Sequence, residues 1–409
     1  VLGWPAGRTV APRVATLARI RDSTGGVLDT ALVTFFPGPA SYSGEDTVEI
    51  SCHGGLLVPN QILSRVIGAG ARLALPGEFT RRAVLSGRLD LIQAEAIGDL
   101  IDATSGAQGR AAIHQLEGGL SRRLASLRAS LLDLLAMQAY DIDFPEEDDG
   151  PISRAQIDQG LTEVGAQVGR LLRTAATGIR LQHGALVVLA GRPNAGKSSL
   201  FNALLGIERA IVTELPGTTR DAVEAPLEID GWPLRLVDTA GLRPSEDRIE
   251  RLGIEVSHRY LDQADLVLLC HESGGPLNDQ EREIANRPET LLVFTKSDLG
   301  PAGPADELSV SVVNGSGLDR LRGQLRDRCF SPEVVDSAEP LLTRERHRLG
   351  LERAAEGIDA ARRLLAARGE AVLVAHEVQR AVAGLEEVLG VVDLDEVLGK
   401  LFQRFCVGK

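Results

Sequence analysis

The period of the apolar positions changes along this chain. Up to about residue 85, short β-like runs such as Thr47-Val-Glu-Ile-Ser51 are set off by turns at Pro37-Gly38, Gly54-Gly55 and Pro76-Gly77, the texture of a small α+β domain. From about Leu89 the texture becomes helical. Leu120, Leu124, Leu127, Leu131 and Leu134 step by four and three, which draws a leucine stripe along one helix face. The acidic, proline-containing stretch from Asp141 to Asp149 interrupts it, and a further helix is predicted from Ser153 to about Arg180.

At Ala185 the pattern switches again. Leu186-Val-Val-Leu-Ala190 is a short apolar run ending in a glycine-rich turn, which reads as a buried parallel strand. Similar runs follow at Leu234–Val237, Leu266–Cys270 and Leu291–Phe294 at spacings that admit helices between them, so a doubly wound α/β unit is predicted. Helical texture returns after about Ser331 and is strong between Arg344 and Leu389. The fold class expected is therefore multidomain α/β. It has an N-terminal α+β domain (1–86), a discontinuous helical domain (87–183 and 331–409), and a doubly wound α/β domain (184–330) inserted in it.

Composition narrows the classes. The 409 residues are 44% hydrophobic and 25% charged, which is a globular balance, and no apolar run approaches the roughly 18 residues of a membrane helix. Lys+Arg 44 against Asp+Glu 57 leaves a net charge of −13, so the chain is a poor general polyanion binder and any nucleic-acid contact needs a local basic patch or a partner. Cys52, Cys270, Cys329 and Cys406 are too scattered for a zinc site or a disulfide framework and fit a reducing, cytoplasmic location. No secretion signal follows Val1.

Four ordered motifs carry the chemistry. Gly191-Arg-Pro-Asn-Ala-Gly196-Lys197-Ser198 matches GxxxxGK[ST], and it lies between a predicted strand and a predicted helix, as a phosphate loop must. Asn194, Ala195, Gly196 and Ser199 belong to the loop and helix start that wrap the phosphates of GTP; Lys197 reaches the β- and γ-phosphates and the Ser198 hydroxyl ligates Mg²⁺. Asp238-Thr-Ala-Gly241 follows a buried strand, so Asp238 is placed to hold Mg²⁺ through water and the Gly241 N–H to meet the γ-phosphate. In Pro216-Gly-Thr-Thr-Arg-Asp221, Thr219 is the expected third Mg²⁺ ligand. Thr295-Lys-Ser-Asp298 resembles NKxD: Asp298 accepts from the guanine N1 and N2 donors, which adenine lacks, and the Lys296 stem covers the base. Thr295 replaces the usual Asn, and Ser311-Val-Val313 stands where SAK is usual, so guanine preference rests chiefly on Asp298.

The position after Gly241, a water-positioning glutamine in Ras-like proteins, is Leu242. An apolar side chain cannot orient water, and Glu246, Asp247 and Glu250 are the nearby alternatives.

The phosphate loop, the PGTTRD and DTAGLR segments, Phe36-Pro-Gly-Pro-Ala-Ser-Tyr-Ser-Gly-Glu-Asp46, Pro76–Arg82, Leu89–Ile97 and the terminal Phe405-Cys-Val-Gly-Lys409 together resemble the MnmE (TrmE) family of tRNA-modification GTPases over nearly the whole chain. The resemblance implies that Glu250 orients the hydrolytic water and that Asn194, Thr213, Leu215 and Thr218 hold K⁺, with Arg243 a weaker internal source of the same charge. It implies a homodimer that works with the flavoprotein MnmG on the wobble uridine of certain tRNAs. It further implies 5-formyltetrahydrofolate or a related one-carbon folate at Glu49, Arg88 and Lys409, with Arg88 where the family usually shows lysine and an early PGRG-like segment absent. The competing reading is a ribosome-assembly or regulatory switch GTPase of the Era type, but no KH-like GxxG module flanks the α/β domain.

Overall fold

A computed structural model describes residues 11–143, 154–207, 223–238, 259–299, 307–331 and 340–390. The chain forms two compact units, residues 1–98 with 389–409, and residues 99–388.

In the first unit, β1 (Thr16–Arg21), β2 (Val27–Phe36) and β3 (Thr47–Ser51) form an antiparallel sheet in that order. Period-two alternation turns Ala18 and Ile20 of β1 and Ala31 and Val33 of β2 to one face, where Ile62 of α1 (Leu57–Ile67) packs on them. Helix α2 (Glu78–Leu85) is fastened through its first residue. The Glu78 carboxylate accepts from Arg72 at 2.6 and 2.8 Å, from Arg82 at 2.7 Å and from the Leu75 N–H at 2.8 Å. Arg82 also reaches Glu45 at 2.7 Å and Ser86 donates to the Ser43 carbonyl at 2.7 Å, so the 38–46 loop is bound to this helix. Helix α3 (Leu91–Asp102) starts at a reciprocal pair, Gln93 N–H to Asp90 and Asp90 N–H to Gln93.

In the second unit, α4 (Gly106–Leu116), capped by Ser105, leads to α5 (Gly119–Asp143) and α6 (Arg154–His183). The leucine stripe of α5 is buried throughout. Only Gly184, at φ +77°, separates α6 from β4 (Ala185–Ala190). There follow α7 (Lys197–Ile207), β5 (Val223–Ile229), β6 (Trp232–Asp238), β7 (Leu266–Glu272), α8 (Asp279–Ala285), β8 (Thr290–Thr295), β9 (Leu308–Ser309) and α9 (Leu318–Cys329). The sheet order is β5-β6-β4-β7-β8-β9, parallel except for the antiparallel β5–β6 pair.

Val187 and Leu189 of β4 face one layer, with Leu200 and Leu204 of α7 and Leu321 of α9, while Leu186 and Val188 face the other with Leu261. A strand covered on both faces needs apolar residues at every position, which is why β4 shows no alternation in sequence.

The helical segments meet across this insertion. Helix α10 (Glu345–Ala366) packs on α6, with Arg362 donating to Asp158 at 3.1 Å, and Arg128 of α5 donates to Glu386 of α11 (Ala371–Leu389) at 2.8 Å. Gln115 of α4 donates to the Leu341 carbonyl at 3.1 Å. A close backbone approach lies at Gly178 of α6, where an added Cβ would stand 2.3 Å from the Leu342 carbonyl oxygen.

Two consequences are open to measurement. Gly178→Ala overpacks backbone against backbone and is expected to cost about 1–3 kcal/mol, seen as a lower thermal midpoint. Gly206→Ala, on α7 with nothing among the described residues within 4 Å of the new Cβ, should leave it unchanged or raised. In the first unit, Arg72, then Arg82 and the Leu75 N–H, hold the Glu78 carboxyl well below the usual carboxylate range. Its stabilising contribution is then complete above the unfolded value of 4.5 and fades as pH falls below it. Glu78→Gln should narrow the difference in melting temperature between pH 7 and pH 3; an unaltered difference would refute the assignment.

Candidate nucleotide site

The site is built at the C-terminal ends of β4, β6 and β8, where open α/β sheets bind ligands. Beyond Ala190 the chain turns at Gly191, at φ +134°, with the Cys270 carbonyl so close that a Cβ would lie 2.2 Å from it. Asn194 at φ +65° and Gly196 at φ +82° continue the curl into α7. Both conformations lie in the left-handed region, which asparagine tolerates and glycine adopts freely. Lys197 is 6% exposed, and its ammonium arches over the loop to donate to the carbonyls of Gly191 at 2.8 Å and Arg192 at 2.6 Å. Ser199 follows in the first turn of α7.

The parallel register of β4 and β6 pairs Leu189 with Asp238 and so delivers the aspartate beside the loop. The Ser198 hydroxyl donates to Asp238 Oδ2 at 2.6 Å, and Asp238 is 5% exposed. Two adjacent oxygen donors, one ionisable, at the mouth of a phosphate loop suit a hard divalent cation such as Mg²⁺.

The β8 end carries the residues expected to read the base. Thr295 is buried, and its hydroxyl donates to the Ala195 carbonyl at 2.7 Å with the His271 carbonyl 3.2 Å away. The position expected to touch nucleotide is thus engaged in tying β8 to the phosphate loop. Lys296, at φ +55°, places its ammonium 3.1 Å from Glu272. Buried Ser311 donates to Asp298 Oδ1 at 2.6 Å, so the loop in the SAK position orients the expected guanine acceptor.

Sequence reasoning missed a buried group behind the loop. Glu281 on α8 pairs with Arg192 at 2.7 Å and lies 3.3 Å from His271 Nδ1. Burial opposes its charge, but the Asn278 N–H, His271 and Arg192 outweigh that and hold its pKa below the ordinary value. Asn278-x-x-Glu281 was available as a capping-box signal, although that pattern announces a helix start and says nothing of Arg192. Cys270, fully enclosed under the loop, is pushed up to about 12 by burial and is therefore a packing thiol.

Thr213, Leu215, Thr218, Thr219, Gly241, Arg243, Glu246, Asp247, Glu250, Cys406 and Lys409 lie outside the described residues. Glu49 on β3 and Arg88 just after α2 are both exposed in the first unit, and the Arg88 stem passes the turn at Gly44. Among the described residues no helix is long and apolar enough to cross a membrane.

A family model described as the MnmE helical domain matches residues 91–406, and one described as the GTP-binding protein TrmE N-terminus matches residues 5–88. The tRNA modification GTPase MnmE of Azoarcus sp. (strain BH72) is 42% identical over 98% of this chain and 91% of its own length. The protein of that name from Methylobacterium radiotolerans is 42% identical over 100% and 93%, and that of Akkermansia muciniphila 42% over 97% and 90%. Among solved structures, the G domain of the T. maritima FeoB iron transporter is 29% identical over 35% of this chain and 98% of that one, with a TM-score of 0.28. With both family models and full-length relatives in agreement, the chain belongs to the MnmE family of tRNA modification GTPases.

Proposed function

We propose that this GTP hydrolase works in a Mg²⁺- and K⁺-dependent way and drives carboxymethylaminomethyl-type modification at C5 of the wobble uridine of certain tRNAs. The observation that carries the hydrolytic part is the convergence of Lys197, Ser198 and Asp238 on one loop, with Asp298 fixed by Ser311 beyond the end of β8.

In this reading GTP lies with its phosphates under the Gly191–Ser198 loop, and the Lys197 ammonium exchanges its loop carbonyls for β- and γ-phosphate oxygens. Ser198, Asp238 through water, and Thr219 hold Mg²⁺, which when bound neutralises charge on the β- and γ-phosphates. Asn194, the carbonyls of Thr213 and Leu215, and Thr218 hold K⁺, which adds positive charge where an arginine finger otherwise acts. Glu250 orients the water whose oxygen attacks the γ-phosphorus as the bond to the β-phosphate oxygen breaks and GDP leaves. Asp298 accepts from guanine N1–H and N2–H through the carboxylate that Ser311 orients, Lys296 lies over the base, and the Gly241 N–H meets the γ-phosphate.

The tRNA part of the proposal is supported by family membership. A homodimer acts with the flavoprotein MnmG in the cytoplasm, and a one-carbon folate related to 5-formyltetrahydrofolate binds through Glu49, Arg88 and Lys409.

Hydrolysis by the full chain should be at least about tenfold faster in potassium than in sodium buffer, a transition-state effect of the size one added charge supplies. Asn194→Ala should abolish the difference. Equal rates in the two salts would remove K⁺ from the mechanism and leave Arg243 or a partner's arginine as the source of charge. Separately, Asp298→Asn should cut GTP use by about 10²-fold or more, because the amide offers one acceptor where guanine presents two donors. Xanthosine triphosphate, with a carbonyl at C2, should be restored as a substrate for that variant; retained GTP preference would displace Asp298 from the base.

A further inference from the structure

Behind the phosphate loop runs a closed circuit of bonds that begins and ends in it. Arg192, the second residue of the loop, pairs with Glu281 at 2.7 Å and donates to the Pro276 carbonyl at 2.9 Å. Glu281, 3% exposed, also accepts from the Asn278 N–H at 2.9 Å and faces His271 Nδ1 at 3.3 Å. His271 is itself buried, with Nε2 2.8 Å from the Gly275 carbonyl and its ring edge-on to Phe294 at 5.7 Å. Its carbonyl lies 3.2 Å from the Thr295 hydroxyl, which donates to Ala195 and so returns to the loop. Between the two anchor points, 192 and 195, stands Asn194 in a left-handed conformation. The Arg192 carbonyl is also one of the two that receive the Lys197 ammonium.

A buried carboxylate is retained only when it is paired and fully hydrogen-bonded, and here its one cationic side-chain partner from the loop is Arg192. Resting on the assignment of this loop as the phosphate site, we propose that Glu281 is a positioning residue for GTP hydrolysis, acting through Arg192 to hold the phosphate loop in its binding shape. It touches no phosphate. It fixes the residue whose carbonyl receives Lys197 and whose neighbours carry the left-handed turn, so a loosened loop pays its ordering cost each time GTP binds.

The consequence falls on binding of ground and transition state alike, which raises KM with little change in kcat. The test is steady-state GTP hydrolysis by the purified full chain in potassium buffer, with Glu281→Gln, Arg192→Gln, the double variant and Lys197→Ala. Glu281→Gln keeps the side-chain shape and removes the charge, and about five- to tenfold higher KM with kcat within about twofold is expected from losing a charged hydrogen bond. Arg192→Gln, on a half-exposed side chain, should give the same change without unfolding, and the double variant should be no worse than either single one, as for two members of one interaction. A KM for Glu281→Gln within twofold of the parent, beside an impaired Lys197→Ala, would overturn the positioning role alone. Multiplying effects in the double variant would also overturn it. An unimpaired Lys197→Ala would overturn the phosphate site and this proposal with it.

Discussion

The nucleotide site depends on one close approach, the backbone of Gly191 against the carbonyl of Cys270. Strands β4 and β7 are hydrogen-bonded neighbours, and the chain leaving β4 must reverse direction at once to begin the loop. Any side chain at 191 would meet the β7 backbone, and the strands would have to part. Parting them would disturb more than the loop. It would shift the Leu189–Asp238 register on the other side of β4, by which Asp238 reaches Ser198. The Ser198–Asp238 pair and the phosphate loop are therefore consequences of one sheet geometry, and the glycine just beyond the end of β4 lets both exist.

The same strand is bound to the helical part of the unit. Helix α6 runs into β4 with only Gly184 between them, and Arg180 near its end donates to Asp265 at 2.6 Å. The other oxygen of Asp265 accepts the Leu186 N–H of β4 at 2.9 Å. On the far side, the turn between β5 and β6 is held from two directions. The Ala107 N–H of α4 donates to the Gly231 carbonyl at 3.0 Å, and Arg322 and Arg326 of α9 reach Asp230 at 3.3 and 3.1 Å. Trp232 lies against Phe330 with ring centroids 4.7 Å apart. Strand β6 thus runs from a turn fastened to α4 and α9 at one end to Asp238 at the other.

Much of this was legible in the sequence because it is written locally. The leucine stripe of α5, the helix beginning near Ser153 and the four apolar runs of the inserted domain each depend on a short window, and each appears as an element. The phosphate loop was legible for the same reason, since its spacing is a property of eight consecutive residues. Strands β5 and β9 were not read. β5 carries two glutamates and a proline among its seven residues, and β9 is two residues long, so both owe their existence to neighbours already in place. The circuit through Glu281 joins residues 192, 281, 271, 295 and 195, which no window contains. A buried glutamate on a short polar helix reads as a solvated one until the fold is known.

The two departures from the usual guanine motifs are explained by position. A side chain at 295 must bridge β8 to the phosphate loop, and a hydroxyl does so: Thr295 is buried, donates to the Ala195 carbonyl, and lies 3.3 Å from where a Cβ on Gly196 would stand. A larger polar side chain would have to find room against Gly196, whereas threonine packs its methyl group and uses its oxygen. In Ser311-Val-Val313 the serine is the residue that does the orienting, because its hydroxyl meets Asp298 at 2.6 Å from a wholly buried site. Val313 is exposed and meets no such constraint. In the proposed reading, discrimination between guanine and adenine needs one carboxylate held at a fixed angle, and that requirement falls on Asp298 and Ser311, leaving the other positions free to vary with packing.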